Sequence, residues 1–239
     1  MAGHSKWANI KHRKGAQDAK RGKIFTKHIR DIMTAAKNGG DPNDNPLLRL
    51  ALDKARKDNM TKDVMDRAIK RGTGEIQGDD YVEKVYEATY SGGVAIIIRT
   101  LTDNGTRTYN NVRTVVNKNG GNLGEPGSVM WQFKHCGLIV YPTTIGEEDA
   151  VMEAALEAGA ADFEMEGDVY KIITEVTDFG MVRDAILPLY GDPLEDPDLT
   201  YIPTNLVDIS DEETIAKIEK LIELIDEDDD VQDVITNLA

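Results

Sequence analysis

The chain has 239 residues and a formal charge of −15, with a single cysteine. That length exceeds the common single-domain size of about 100–150 residues, so two or three compact units are expected. The longest apolar run, Val94 to Ile98, is far short of the roughly 20 residues of a membrane-spanning helix, and the N-terminus lacks a secretory apolar segment. Cys136 cannot form an internal disulfide, which fits a reducing, cytoplasmic setting.

Charge is unevenly distributed. Residues 1–74 hold eighteen Lys/Arg and eight Asp/Glu, a balance of +10, whereas the remaining 165 residues carry −25. A basic end on an acidic body concentrates attraction for polyanions in one place. Ala2 to Gln17 has no acid, and Trp7 and Ile10 are its only large apolar residues, too few for helix or strand periodicity. The segment reads as an arm whose Lys6, Lys11, Arg13 and Lys14 meet phosphates, with Trp7 offering a face for a base and His12 a hydrogen bond. Lys20, Arg21, Lys23 and Lys27 extend the candidate nucleic-acid contacts into the following helix. The competing reading is an ordinary solvated terminus.

The pattern then predicts three helices. Ile24, Phe25, Ile29, Ile32, Met33 and Ala36 recur at helical spacing before Asn38-Gly39-Gly40. Asn45 is a suitable N-cap with Pro46 at the first helical position, and Leu47, Leu50, Ala51 and Ala55 follow. Thr61 is expected to cap the third helix, where Val64, Met65, Ala68 and Ile69 face inward and Lys70 and Arg71 occupy the last turn. The short connection between the second and third helices leaves a helix-turn-helix reading open, with Arg67, Lys70 and Arg71 near DNA. Against it, the third helix lacks a row of base-reading residues at its N-terminal end.

Gly72 to Asp80 is a glycine-rich linker where the composition turns acidic. Tyr81–Tyr90 and Val94–Leu101 read as a hairpin about Ser91-Gly92-Gly93, and a helix through Tyr109, Val112, Val115 and Val116 starts near Asn104. Ser128–Phe133 is expected to be a strand with Trp131 and Phe133 in the core. From Gly137 a β-α-β-β-α-β order runs to Pro203, the ferredoxin-like split unit, with Asp178 as a cap of its second helix. The tail offers a strand near Leu206–Ile209, a helix capped by Ser210 with Glu213 in capping-box position, and a last strand, Val231–Ile235. It supplies the half that residues 79–132 lack.

The expected fold is therefore α+β: an N-terminal three-helix domain followed by two ferredoxin-like α+β domains, one inserted into the other. The boundaries are 1–78 for the basic arm and helices, 79–132 with 205–239 for the split domain, and 133–204 for the insert.

No Walker sequence, zinc-protease motif, paired CxxC or nucleophile elbow is present, so neither an enzyme nor a cofactor or metal is expected. His135 and Cys136 are adjacent on a strand and point apart, a poor basis for catalysis. The acidic runs Glu147–Asp149 and Asp226–Asp230 read as solvated surface.

The motifs AGHSKWANIKHRKGAQDAKRGKIFTKHIRDI, NPLLRLALDKARKDNMTKDVMDRAIKRGTG and GGVAIIIRTLTDNGTRTYNNVRTVVNKNGGNLGEPGSVMWQF resemble, in order, those of the YebC family. The resemblance spans the chain, though Thr61 stands where the family usually has proline, and Thr89-Tyr90-Ser91 replace a more glycine- and proline-rich turn. It implies three intertwined domains and a probable transcriptional regulator, with mitochondrial relatives that activate translation of cytochrome oxidase. The expectation is a non-enzymatic regulator of gene expression that binds DNA through its basic N-terminal domain. The alternative is a ribosome-associated translation factor that binds ribosomal or transfer RNA. Neither a membrane nor a small-molecule substrate is expected.

Overall fold

The computed structural model describes residues 21–78 and 80–239, with side chains from Ile24 onward. Seven α-helices and two four-stranded antiparallel sheets are found among them. The helical region comes first: α1 (Arg21–Ala36), α2 (Pro46–Lys57) and α3 (Lys62–Gly72). Their apolar stripes close one core of Ile32, Met33, Leu48, Leu52, Ala55 and Met65. Asn45 caps α2 by accepting from the Leu48 amide at 3.0 Å, and its amide also donates to the carbonyls of Ala35 and Gly39, both at 2.8 Å. One buried side chain thus ends α1 and begins α2, satisfying backbone groups that both termini would leave orphaned. Gly72 is more than a linker residue, because a Cβ there would collide with the Met33 carbonyl and Ala36. The Thr61 side chain makes no capping bond.

Residues 21–132 and 205–239 belong to one compact unit. After the helices it contains β1 (Val82–Tyr90), β2 (Val94–Thr102), α4 (Gly105–Lys118), β3 (Asn122–Leu123), α7 (Glu212–Asp226) and β8 (Val231–Thr236). The sheet order is β3-β1-β2-β8. Ala88, Val94, Ile96 and Ile98 meet Val112 and Val116 of α4 and Ile218, Leu221 and Ile225 of α7 in a second apolar core. Phe133–Thr204 is the other unit: β4 (Phe133–Pro142), α5 (Glu148–Glu157), β5 (Asp162–Glu166), β6 (Val169–Thr174), α6 (Phe179–Tyr190) and β7 (Asp198–Pro203), ordered β5-β6-β4-β7. In both sheets a hairpin partner separates the two strands linked by the first helix, which is the ferredoxin-like arrangement. In the split sheet that partner, β1, comes first in the chain instead of third.

Two local expectations are corrected and a third is met in position only. Leu206–Ile209 forms only an isolated parallel bridge, Val207 to Leu238. The cap of α7 is Asp211, not Ser210, with its carboxylate accepting from the Thr214 amide at 3.1 Å. Asp178 holds the expected N-cap position of α6, but its side chain makes no capping bond.

The largest departure is Ser128–Phe133. Met130–Gln132 is a 3₁₀ turn, and β4 starts only at Phe133. The cause is Glu87, a buried carboxylate on β1 that accepts the amides of Gly127, Val129 and Met130 at 2.5, 2.7 and 2.8 Å. Amides drawn onto a carboxylate cannot serve a strand ladder. Phe133 is buried, but Trp131 is turned outward at 74% exposure, with its indole N–H donating to the Ser128 carbonyl at 3.1 Å. Burial raises the Glu87 pKa, yet the three amides and the Ser128 hydroxyl outweigh it and hold the carboxyl below its usual value.

Glu87→Gln keeps one acceptor oxygen and sets an NH₂ donor against amide donors. It should lower stability by about 2–3 kcal/mol, read from the urea midpoint. We propose that 1–78, 79–132 with 205–239, and 133–204 are the folding domains. A fragment of residues 79–239 should keep a cooperative thermal transition, at a lower temperature than the whole chain; loss of cooperativity would contradict this partition.

Candidate nucleic-acid interface

Of the ten expected nucleic-acid contacts, Lys6, Trp7, Lys11, His12, Arg13, Lys14 and Lys20 lie outside the described residues. Arg21 and Lys23 fall on α1, where only the backbone is described. Lys27 is the one whose side chain is described. Its ammonium pairs with Asp226 at 2.9 Å and donates to the Gln232 carbonyl at 3.2 Å.

Lys27 is part of a longer seam. One turn on, Arg30 is buried and pairs with Asp230 at 3.0 Å; its guanidinium also donates to the backbone carbonyls of Leu101 and Asp229 and lies 4.9 Å from the Tyr81 ring centroid. Lys37, just past the helix, pairs with Asp80 and donates to the Tyr81 carbonyl at 2.6 Å. His28 faces back to α2, with its ring nitrogen 2.5 Å from the Asp58 carboxylate. The described cations of α1 therefore dock the helix onto the acidic split domain.

Asp230 is the centre of that seam. It is 2% exposed, and Arg107 of α4 meets it at 2.6 Å from the side opposite in sequence to Arg30. The hydroxyls of Thr108 and Thr102 donate to the same carboxylate at 2.7 and 3.2 Å. Burial pushes its pKa up, but hydrogen bonds from Arg107 and Thr108 and the charges of Arg30 and Arg107 more than reverse this, so the net shift is downward. Asp226 and Asp228 take Lys27 and Asn111. The run 226–230, expected as solvated surface, is thus a socket. The chain distance between Arg30 and Asp230 hid the pairing; the signal available was the position of the acids immediately before an apolar strand, Val231–Thr236.

Exposed basic side chains remain on α3, where Arg67, Lys70 and Arg71 all face outward. They share that helix with the exposed acids Asp63 and Asp66. His135 stacks on Tyr201 at 4.5 Å between ring centroids, and Cys136 is buried. Among the described residues, no group of three or more His, Cys, Asp or Glu side chains gathers as a metal site, and no helix is long and apolar enough to cross a membrane.

Asp230→Ala should cost about 3–5 kcal/mol at neutral pH, because Arg30 and Arg107 would be left without their shared counter-charge; Arg30→Met should cost less, since Arg107 and two hydroxyls still serve Asp230. Both Asp230 and Glu87 have folded pKa values below their unfolded ones. Their stabilisation is present above about pH 4 and is lost as pH falls through the folded values. Urea midpoints measured from pH 7 to pH 2.5 should fall at the acid end, and fall less in Asp230→Ala.

Comparison with known proteins agrees with this architecture. The family model described as the TACO1/YebC protein N-terminal domain matches residues 5–75, and that of the TACO1/YebC second and third domain matches residues 81–238. A probable transcriptional regulatory protein of Acidithiobacillus ferrooxidans is 52% identical over 238 residues, covering 99% of this chain and 94% of its own. One from Chromobacterium violaceum is 50% identical over 239 residues, with 99% and 98% covered. The crystal structure of a conserved hypothetical protein from Aquifex aeolicus superimposes with a TM-score of 0.85 at 42% identity, covering 98% of this chain and 97% of that one. With matched models over nearly its whole length and relatives at half identity, the chain belongs to the TACO1/YebC family.

Proposed function

We propose that the protein is a non-enzymatic regulator of gene expression that holds nucleic acid with its basic N-terminal region, a probable transcriptional regulator acting on DNA. The observation that carries this is the segregation of charge, +10 in residues 1–74 against −25 in the rest. The names of the relatives, probable transcriptional regulatory proteins, support a role in regulation. The described cations of α1 are paired with the body, so the grip is assigned to Lys6, Lys11, Arg13, Lys14 and Lys20, with Arg67, Lys70 and Arg71 of α3 as the described surface that can add to it.

One observation favours the second reading, a ribosome-associated translation factor. Trp7 is set among cations and suits unpaired bases, which stack on an aromatic face more readily than bases already stacked in a duplex. On either reading the acidic body repels polyanions and leaves contact to the basic end.

If the arm neutralises about five phosphates, the log–log salt dependence of duplex binding should have a slope near −4 to −5, and Lys11→Ala/Arg13→Ala/Lys14→Ala should flatten it by about 2–3. An unchanged slope would move the grip elsewhere. Co-sedimentation with ribosomes that is abolished by RNase would favour the translational reading over the transcriptional one.

A further inference from the structure

The two helices of the 133–204 unit leave an outer face exposed. α6 buries Phe179, Val182 and Ile186, and a Cβ on Gly137 of β4 would collide with Phe179, so this side of the helix lies on the sheet. Helical periodicity turns Met181, Ala185, Pro188 and Leu189 the other way, and all four are exposed, Met181 at 60% and Leu189 at 64%. α5 likewise buries Val151 and Ala155 and exposes Ala150, Glu153, Leu156 and Glu157, with Leu156 at 49%. The helices run side by side in opposite directions. The Tyr190 hydroxyl, at the end of α6, donates to the Ala150 carbonyl near the start of α5 at 3.4 Å, and a Cβ on Gly159, just past α5, would sit 3.1 Å from the Met181 methyl. Leu156 and Met181 therefore share one end of the face, and Ala150 and Leu189 the other.

Apolar side chains scattered singly over a surface carry no message, whereas these follow the stripes of two adjacent helices and are rimmed by one sign of charge. α5 and α6 hold five acids, Glu148, Asp149, Glu153, Glu157 and Asp184, against one cation. That cation, Arg183, is buried and paired with Asp184 at 2.7 Å. The charge selects the occupant. Nucleic acid and anionic lipid would be repelled, because neither helix has an exposed cation to meet a phosphate. Two copies meeting through this same face would set five acids of one against five of the other. What fits is an apolar stripe flanked by positive charge. A basic amphipathic helix supplies both, with its apolar anchors at i, i+3, i+4 and i+7 laid along an apolar surface. Met181 suits such a contact, since an unbranched thioether adapts to the side chain it meets.

We infer that the α5–α6 face docks a basic amphipathic helix of a partner protein. Its apolar side chains lie on Leu156, Met181 and Leu189, and its lysines or arginines pair with Glu153, Glu157 and Asp184. Met181 to Leu189 spans about 12 Å of α6, enough for roughly two to three turns of the partner. The acidic body, which turns polyanions away, thereby recruits a protein. This docking does not depend on which nucleic acid the basic end holds.

The probe is a fluorescein-labelled helical peptide of about 14 residues, about four turns, made of leucine and lysine with the leucines along one face. Its fluorescence anisotropy with the full-length protein should rise and saturate. A peptide of the same composition, with the leucines scattered around the helix, should bind at least about tenfold more weakly, and so should the first peptide to Met181→Ser/Leu189→Ser. Glu153→Lys/Glu157→Lys should weaken binding too, whereas Glu219→Lys/Glu223→Lys on α7, an equal charge change elsewhere, should leave it within about twofold. All substituted positions are exposed, and circular dichroism with thermal midpoints confirms that each variant is folded. Absence of saturable binding overturns the docking, as does equal binding of the scattered peptide or equal loss in the α7 variant, either of which marks attraction to net charge alone. Sedimentation of the native protein as a dimer that Met181→Ser/Leu189→Ser converts to a monomer would assign the face to a second copy and overturn it as well.

Discussion

The buried carboxylate of Asp230 is the constraint on which the split domain and the helical region both depend. A carboxylate removed from water is tolerated only when charges and hydrogen-bond donors surround it. Here those come from three places in the chain: Arg30 of α1, Arg107 with Thr108 of α4, and Thr102 at the end of β2. Satisfying it brings α1, the β2 end and the β8 start together. Lys27 to Asp226 and Lys37 to Asp80 extend the same alignment along α1. Pairs whose acid is solvent-exposed add little individually, so the buried Asp230 fixes the geometry and the outer pairs follow it.

This divides the basic residues into two populations. Those of α1 that are described meet the acidic body and are structural. The ones before the helix lie outside the described residues, and they are where the proposed polyanion contacts are placed. The same segregation of charge therefore serves assembly along α1 and recognition ahead of it. The −25 body takes part in both, as a socket for Arg30 and as a repulsive surface for nucleic acid.

What the sequence made legible was what depends on short-range pattern. The three helices, Asn45 as a cap, the hairpin about Gly92-Gly93 and the β-α-β-β-α-β order of the insert follow from periodicity and turn chemistry. What it hid were side chains whose partners are remote. Glu87 looks like one more surface acid in a strand, yet it folds the 127–130 amides around itself and turns Trp131 outward. Asp230 looks like the end of an acidic run, and its partner Arg30 is 200 residues earlier. In both cases a buried carboxylate reorganised a stretch that local propensity described differently. The basic character of the first segment was plain from composition, whereas Lys27, read as part of the grip, is held by Asp226.

The division of the cations into structural and recognising groups is tested most directly by amide hydrogen exchange of the whole protein with and without bound nucleic acid. The account predicts new protection in residues 1–20, with α3 as the only described helix joining it, and unchanged exchange in α1 around Arg30 and in the 226–230 socket. New protection in the acidic units, or loosening of the α1 seam on binding, would contradict it.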